Sequence, residues 1–167
     1  ACALVHEPQL LILDEPSTGV DPVSRRELWI ILSEVVQQGV TVVVSTPYMD
    51  EAERCQQVSF LSQGRILATG SPVELAKQLP FEIIEVKASP RGKMRLIVDE
   101  SKDVIDWRPV GDTLRVNVPT NGATERIMRA LQRSMEQAKM QISVLRRGRQ
   151  SMEDVFVHLV NAQRGVA

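Results

Sequence analysis

The segment from Leu10 to Glu15 limits the possible folds of this chain more than any other part of the sequence. Four consecutive apolar residues, Leu10 to Leu13, are followed immediately by two carboxylates, Asp14 and Glu15. A short apolar run of this kind is typical of a parallel strand that is covered on both faces. Ligands of open α/β sheets bind at the carboxyl ends of such strands, so the two acids are candidates for a site. Taken alone, the pattern also fits an acidic turn after a strand.

The residues after this run predict a helix and a second strand. Asp21 suits the N-cap of a helix, and Pro22 suits its first position. Apolar residues then recur at helical spacing until Gly39, which is expected to end the helix. Val40–Thr46 is β-branched at all positions but one and predicts a second buried strand. Because strand, helix and strand follow in this order, the two strands are expected to pair in parallel.

Beyond the second strand, the pattern up to residue 80 predicts a short helix, a hairpin and another helix. A Gln-Gly pair between two apolar runs is a turn signal, and a Ser followed three residues later by a Glu is a capping box. The predicted elements are an acidic helix over Met49–Cys55, a hairpin of Val58–Leu61 and Arg65–Thr69 around Gln63-Gly64, and a helix that begins at Ser71–Glu74 and ends near Leu79-Pro80.

The second half of the chain mixes apolar and polar residues, as in half-exposed antiparallel strands. A β-β-β-α-β-α order is expected, which predicts a small α+β subdomain of ferredoxin-like type. We therefore divide the chain into residues 1–80 and residues 81–167. The predicted elements are strands over Phe81–Ala88, Met94–Asp99 and Leu114–Val118, a helix over Thr124–Ala138, a strand over Met140–Leu145 and a last helix capped by Ser151.

The two halves of the chain carry opposite charge, while the whole carries a net charge of −1. Residues 1–81 contain five Lys and Arg against ten Asp and Glu, and residues 82–167 contain fifteen against eleven. The overall balance argues against a dedicated nucleic-acid binder, so no specific nucleic acid is predicted as a partner. A basic neighbourhood in the second half fits a solvated strand end or, alternatively, contact with anionic lipid or RNA. It comprises Arg133, Lys139, Arg146, Arg147 and Arg149.

Several other classes of protein are disfavoured by composition. The apolar runs fall short of the roughly 18–20 residues that a membrane span needs, and no signal peptide opens the chain. Cys2 and Cys55 form no CxxC spacing, which fits a reducing compartment better than a disulfide framework. His6 and His158 belong to no ligand pattern, so a metal site built from His and Cys clusters is not expected.

Longer motifs give the chain a resemblance to a known family. Ile12 to Pro22 is similar to LLDEPTxGLDP, the Walker B strand and D-loop of the ATP-binding-cassette (ABC) transporter ATPases. Tyr48–Arg54 resembles the YMDEAER segment after their switch strand, and Gln63–Pro72 resembles their next hairpin and helix. Ser151–Phe156 resembles the SLEDVF segment at the end of the C-terminal extension in exporter-type members. Residues 82–150 contribute little to the resemblance.

This resemblance implies a fold and a set of roles. The first half would belong to the parallel sheet of a P-loop NTPase cassette. Asp14 would bind Mg²⁺ through water, and Glu15 would be the catalytic carboxylate. Ser17, Gly19 and Asp21 would lie in the D-loop, which reaches the nucleotide site of the partner, although a helix cap alone would also explain Asp21.

The implied function is that of a subunit that binds and hydrolyses ATP and couples this to export through a membrane permease. Its cofactors would be ATP and Mg²⁺. Its partners would be the permease and a second ABC ATPase domain, in a homodimer or a fused tandem cassette. The expected location is the cytoplasmic face of the cell membrane, as a peripheral protein.

The chain departs from the family in lacking a phosphate-binding loop. That loop reads GxxxxGK followed by Ser or Thr, and the only Gly-Lys pair, Gly92-Lys93, is followed by Met94. The glutamine loop and the LSGGQ-like signature are also absent. In the family, the signature comes just before a helix that reads like the first residues of this chain. We therefore expect the chain to be a fragment of a longer protein that is inactive alone.

A second departure is Pro47, which stands where the family has the switch histidine. In the family that histidine contacts the γ-phosphate and the attacking water. Proline has neither an imidazole nor an N–H to offer at this cofactor-binding position. A slow or altered site is expected even in an intact parent. The alternative is a module of another class, in which a degenerate ATPase half accompanies an α+β unit that binds or regulates a partner without catalysis.

Overall fold

A computed structural model describes residues 4–163 and 165. By packing, the chain divides into two compact units, residues 1–55 and residues 56–167. The sequence also predicts the end of a helix at residues 1–6, which falls partly outside the described residues; a short 3₁₀ turn is seen at Leu4. No helix in the described part of the chain is long and apolar enough to cross a membrane.

The first unit is a strand–helix–strand crossover followed by a short helix. Its two strands pair in parallel, with Leu10 opposite Thr41 and Asp14 opposite Ser45, which confirms the predicted crossover. The short helix ends earlier than the sequence predicted, at Ala52 instead of Cys55. The elements are β1 (Leu10–Asp14), α1 (Pro22–Gln37), β2 (Thr41–Ser45) and α2 (Met49–Ala52).

The strands of this unit are covered on one face only, so the expectation of two strands buried on both faces is wrong. Leu11 is buried under α1 together with Trp29 and Leu32. On the opposite face of the same strands, Ile12 is 70% exposed and Val43 is 52% exposed. Among the described residues the sheet has two strands and a single covering helix, and nothing in the unit lies over its second face.

The second unit begins with a hairpin and a short helix and continues into a four-stranded sheet. The hairpin turns at Gln63 and Gly64, whose φ angles of 48° and 72° are left-handed, and Ser71 and Glu74 form the predicted capping box. The elements are β3 (Val58–Ser62), β4 (Arg65–Gly70), α3 (Pro72–Lys77), β5 (Phe81–Ser89), α4 (Arg91–Asp99), β6 (Asp106–Val110), β7 (Thr113–Pro119), α5 (Thr124–Gln137), β8 (Gln141–Gly148) and α6 (Met152–Gln163).

The four-stranded sheet has the ferredoxin-like arrangement. From β5 to β8 the elements follow as β-α-β-β-α-β, and the strand order is β6-β7-β5-β8 with all pairs antiparallel. The predicted subdomain type is therefore confirmed, although its element order was not. Met94–Asp99 is a helix, not a strand, because Met94 and Val98 lie four residues apart on one buried face. The predicted order also omitted β6, an edge strand.

The core of this subdomain lies between the sheet and its two helices. Inward-facing residues alternate along β7, where Leu114, Val116 and Val118 are all buried. Helix α5 contributes residues at helical spacing, Ile127, Leu131 and Met135 among them. This alternation and this spacing confirm the predicted strand and the predicted amphipathic helix.

The last helix packs back onto the segment that precedes the sheet. The ring of Phe156 in α6 lies 5.6 Å from the ring of Phe60 in β3, and Val155 is buried on the same helix. Because α6 covers the hairpin and α3, these elements join the second compact unit. The predicted division into residues 1–80 and 81–167 separates the half that resembles the ATPase cassette from the α+β subdomain. It differs from the division by packing, and it stays a prediction.

Candidate functional site

The carboxyl ends of β1 and β2 bring a carboxylate and a hydroxyl together. Asp14 is the last residue of β1, and its partner in the register is Ser45, the last residue of β2. The hydroxyl of Ser45 donates a hydrogen bond to Oδ1 of Asp14. Both residues are exposed at this edge of the sheet. The parallel pairing predicted from the sequence is what places the two residues side by side.

Glu15 turns sharply away from the strand. Its φ angle is 45°, in the left-handed region that glutamate rarely adopts, and its N–H donates to the hydroxyl and carbonyl oxygens of Ser45 at 3.0 Å. Its carboxylate accepts a hydrogen bond from the Thr18 hydroxyl at 3.1 Å. The turn therefore directs the two neighbouring acids differently: Asp14 lies against β2, and Glu15 lies over its own loop.

The loop after Glu15 is anchored at one end by a buried serine and at the other by a helix cap. Ser17 is buried, whereas Gly19 is exposed and adopts a φ angle of 77° that suits glycine. Asp21 caps α1, and its carboxylate accepts from the N–H groups of Val23 and Ser24 at 2.9 and 3.1 Å. Hydrogen bonds from Ser24 and Val23 lower the pKa of Asp21. The predicted cap is confirmed.

A buried carboxylate that was not predicted lies beneath this loop. The side chain of Glu51 is 0% exposed and accepts from the Arg25 guanidinium and from the Thr46 hydroxyl, each at 2.6 Å. The Ser17 hydroxyl and the Trp29 indole N–H are buried nearby without hydrogen-bond geometry of their own. Burial alone would raise the pKa of Glu51. The hydrogen bonds from Thr46 and Arg25, together with the nearby polar groups of Ser17 and Trp29, outweigh burial and lower it.

Pro47 follows β2 at the same edge of the sheet and is exposed. The residue before it, Thr46, uses its hydroxyl twice: it donates to Glu51 and accepts from the N–H of Tyr48 at 3.1 Å. The backbone around Pro47 is therefore held from both sides. Proline itself places no hydrogen-bonding side chain at this position.

Sequence reasoning missed Ser45, Thr46 and Glu51 as parts of the site. Ser45 could have been found, because parallel pairing of two strands of equal length puts their last residues together. Glu51 gave no such signal: within the acidic stretch of Asp50, Glu51 and Glu53, one buried acid looks like its exposed neighbours. Only the packing of α2 against α1 distinguishes them.

The site fits a hydrated cation better than a cation held by protein alone. No group of three or more His, Cys, Asp or Glu side chains among the described residues could hold a metal ion. Mg²⁺ keeps several of its waters and is commonly bound through one or two carboxylates and a substrate phosphate. An exposed Asp14 beside a hydroxyl at a strand end is a donor set of this kind.

Two of the five residues of the basic neighbourhood form ion pairs within the second unit. Arg146 donates to Glu85 at 2.8 Å, and Arg147 donates to Glu125 at 3.1 Å. These ion pairs fit the interpretation of a solvated strand end. The prediction that no specific nucleic acid is bound stays a prediction.

Comparison with known proteins gives relatives along almost the whole chain, although no protein-family model matches it. The chain is 49% identical over 78 residues to the probable multidrug ABC transporter ATP-binding protein YbhF of Escherichia coli, covering 47% of the chain and 14% of YbhF. It is 41% identical over 116 residues to the Nod factor export ATP-binding protein I of Neorhizobium galegae, covering 68% and 33%. It is 30% identical over 166 residues to the daunorubicin/doxorubicin resistance ATP-binding protein DrrA of Streptomyces peucetius, covering 95% and 48%.

These matches agree with the motifs from which the resemblance was read. They include both compact units, since the match to DrrA covers 95% of the chain. The chain spans about half the length of DrrA and less of the other two relatives. The strand–helix–strand crossover with acids at its carboxyl end fits the same family. The chain therefore belongs to the ABC transporter ATP-binding proteins.

Proposed function

We propose that this chain contributes the catalytic carboxylate, the D-loop and the switch segment of an ATP-hydrolysing subunit that drives export through a membrane permease. The observation that carries the proposal is the pair Asp14 and Glu15 at the carboxyl end of a parallel strand, where the register sets Asp14 beside Ser45. The names of its relatives, which include a multidrug transporter protein and an export protein, support a role in export.

Each acid takes a separate role in this proposal. The exposed Asp14 would hold Mg²⁺ through water, while the hydrogen bond from Ser45 fixes the orientation of its carboxylate. Glu15 orients and polarises the water that attacks the γ-phosphate. When bound, ATP and Mg²⁺ supply the transferred phosphoryl group and the charge that neutralises it. Ser17, Gly19 and Asp21 form the D-loop that faces a second nucleotide site.

The partners follow from the same proposal. The subunit would bind a membrane permease on the cytoplasmic face and would pair with a second ABC ATPase domain, in a homodimer or in a tandem cassette. The chain itself carries no GxxxxGK loop. ATP binding would therefore need phosphate-binding residues from elsewhere in the complete polypeptide.

The first test is to read the coding region immediately upstream of Ala1. A GxxxxGK loop, a glutamine loop and an LSGG-type signature in that order would support the proposal. A start codon close to Ala1, with none of these motifs, would overturn it for this chain.

The second test is turnover of ATP by the complete polypeptide that contains this chain. Glu15→Gln removes the charge that polarises the attacking water, and we expect kcat to fall by about 100-fold or more with little change in KM. Glu27→Gln, on the exposed side of α1, is the matched control and should leave turnover unchanged. Equal activity of Glu15→Gln and the control would contradict the assigned role.

A second candidate function is a non-catalytic module that regulates dimerisation or binds a protein partner. The observation that favours it is Pro47, which offers no imidazole where the family has its switch histidine. Size-exclusion chromatography of the complete polypeptide with and without ATP and Mg²⁺ separates the two. Dimerisation that depends on nucleotide supports the ATPase, and association that ignores nucleotide supports the module.

A further inference from the structure

The first unit contains a buried carboxylate that the proposed chemistry does not use. Glu51 lies on α2, is 0% exposed, and receives hydrogen bonds from residues of two other segments. A carboxylate removed from water is costly unless it is paired and hydrogen-bonded. The partners of this buried acid indicate what it does in the unit.

The partners of Glu51 belong to the segments that the proposed reaction needs. Thr46 lies at the end of β2, just before Pro47, and donates to Oε2 of Glu51 at 2.6 Å. Arg25 lies in the second turn of α1 and donates to Oε1 at 2.6 Å. Ser17, in the loop after Glu15, is buried with its hydroxyl unpaired, and the N–H of Arg25 donates to the carbonyl of Asp21, at the end of that loop, at 2.9 Å. One carboxylate thus joins the strand end and the helix, and through the helix the end of the loop.

Arg25 also pairs with a second acid of α2, which is exposed to solvent. Its guanidinium donates to both oxygens of Asp50 at 2.8 Å and lies 4.4 Å from the centre of the Tyr48 ring. The fork of donors on arginine suits two carboxylates at once. Asp50 is 67% exposed, however, and its pair with Arg25 is open to solvent, whereas the contacts of Glu51 are not.

We propose that Glu51 is a positioning residue that couples the Ser17–Asp21 loop to the Thr46–Tyr48 segment, so that the two move as one body. This inference rests on the proposed function for its consequence in catalysis, but its structural content does not depend on ATP. Displacement of the Thr46–Tyr48 segment or of Arg25 would break a charge-assisted hydrogen bond to a buried acid, which costs more than a bond at the surface. Arg25 in turn holds the end of the loop, because its N–H donates to the carbonyl of Asp21.

The test in this 167-residue chain is amide hydrogen exchange in wild type, Glu51→Gln and the control Asp50→Asn. The reporters are the N–H groups of Thr18, Val20 and Tyr48, which bond within the two segments. We expect Glu51→Gln to speed exchange at all three by about tenfold or more while β1 amides stay protected, and Asp50→Asn to change them less than about threefold.

Two results would overturn the proposal. Faster exchange at Tyr48 with unchanged exchange at Thr18 and Val20 would show that Glu51 holds only the Thr46–Tyr48 segment. A uniform rise that includes the β1 amides would show a general loss of stability and no specific coupling. If Glu51→Gln does not fold, Glu51→Asp keeps the charge but shortens its reach by one methylene, and the same pattern is expected from it.

The functional readout uses the complete polypeptide. Glu51→Gln should lower kcat about tenfold or more with KM for ATP within about threefold, because misplaced loops affect the reaction more than binding. Asp50→Asn should change neither constant. An unchanged kcat in an active wild type would overturn the catalytic consequence. Absence of turnover in wild type would contradict the proposed function, while hydrogen exchange would still decide on the coupling.

Discussion

Acidic residues that are adjacent in this sequence differ in burial and in their hydrogen-bond partners. Glu51 is buried and Asp50, beside it, is exposed, although both are acids on one short helix. In the second unit, Asp154 is buried while Glu153 is exposed. In each pair the buried acid receives donors from other elements, and the exposed acid adds only a solvent-facing ion pair to the same arginine. The contribution of a charge to stability is therefore set by its surroundings more than by its presence.

Pro47 gives the first prediction at this scale. Pro47→His in the complete polypeptide places an imidazole at the carboxyl edge of the sheet, where it could contact the γ-phosphate. Under the proposed function we expect turnover to rise by about tenfold or more, since general acid–base and positioning groups contribute on this scale. Pro47→Ala, which removes the ring without adding an imidazole, is the control. Turnover that rises no further with histidine than with alanine would count against the prediction.

Asp154 gives the second prediction. Its side chain is 4% exposed and accepts from Arg108 and Arg115 at 2.9 Å. Burial would raise its pKa, but hydrogen bonds from Arg108 and Ser151 outweigh burial and hold the pKa below the usual 3.8. Asp154→Asn should lower the free energy of unfolding by roughly 1.5–3 kcal/mol, the range for hydrogen bonds to charged groups. Chemical denaturation near pH 7 measures it, with the exposed Glu153→Gln as control.

The pH dependence of the same variant has a definite sign. Because the folded pKa lies below the unfolded pKa, the charged carboxylate adds stability at pH values above about 4. That stability is lost as the pH falls through the folded pKa. The difference in unfolding free energy between wild type and Asp154→Asn should therefore shrink on acidification. A difference that stays constant down to about pH 2 would contradict the assignment.

At the scale of elements, periodicity predicted those helices and strands whose two faces differ clearly. Helix α5 shows this well, with Leu131 and Met135 buried on one side and Arg133 exposed on the other. The Met94–Asp99 segment was predicted wrongly because a short and largely apolar run fits a strand as well as a helix. Only its packing against the sheet decides between them.

The third prediction concerns α5. Leu131→Ala removes a side chain that is 2% exposed and leaves a cavity between the helix and the sheet. We expect a loss of about 2–5 kcal/mol in the free energy of unfolding, as for other buried leucines. Arg133→Ala, on the exposed face of the same helix, should change it by less than about 0.5 kcal/mol. Trp107 lies in the second unit, so its fluorescence in a Trp29→Phe background reports the transition.

In the candidate site, the sequence predicted those features that depend on a single short segment of the chain. The strand end, its two acids and the cap at Asp21 follow from local pattern, since each depends on neighbours a few residues away. The partners of Asp14 and Glu51 do not follow from local pattern. Ser45 lies 31 positions from Asp14, and Arg25 lies 26 positions from Glu51. Side-chain contacts at such separations depend on how the elements pack.

At the scale of the whole molecule, each unit has its own core, but the two differ in completeness. The ferredoxin-like sheet is covered by helices and buries a continuous apolar cluster. The two-stranded sheet of the first unit has an apolar face that is open among the described residues. Parallel sheets occur almost only with both faces covered. An open apolar face of this kind is prone to association.

The fourth prediction follows from this open face. The 167-residue chain should self-associate at micromolar concentration and bind an apolar dye such as ANS. Ile12→Lys with Val43→Lys places charge on the face and should reduce both effects. Leu96→Lys with Val157→Lys adds the same charge at exposed positions on α4 and α6 and is the control. Sedimentation velocity measures the outcome, and equal association of both double variants would contradict the prediction.

The alternation along β1 also has an evolutionary consequence. Leu11 is constrained by α1 within this chain, whereas Ile12 has no such constraint from the described residues. Within the isolated chain, selection for folding would accept polar residues at Ile12 far more readily than at Leu11. A random-substitution library, selected once as the isolated chain and once in the complete polypeptide, would expose this difference. Positions that tolerate substitution only in the isolated chain would identify the residues that another surface covers in the complete polypeptide.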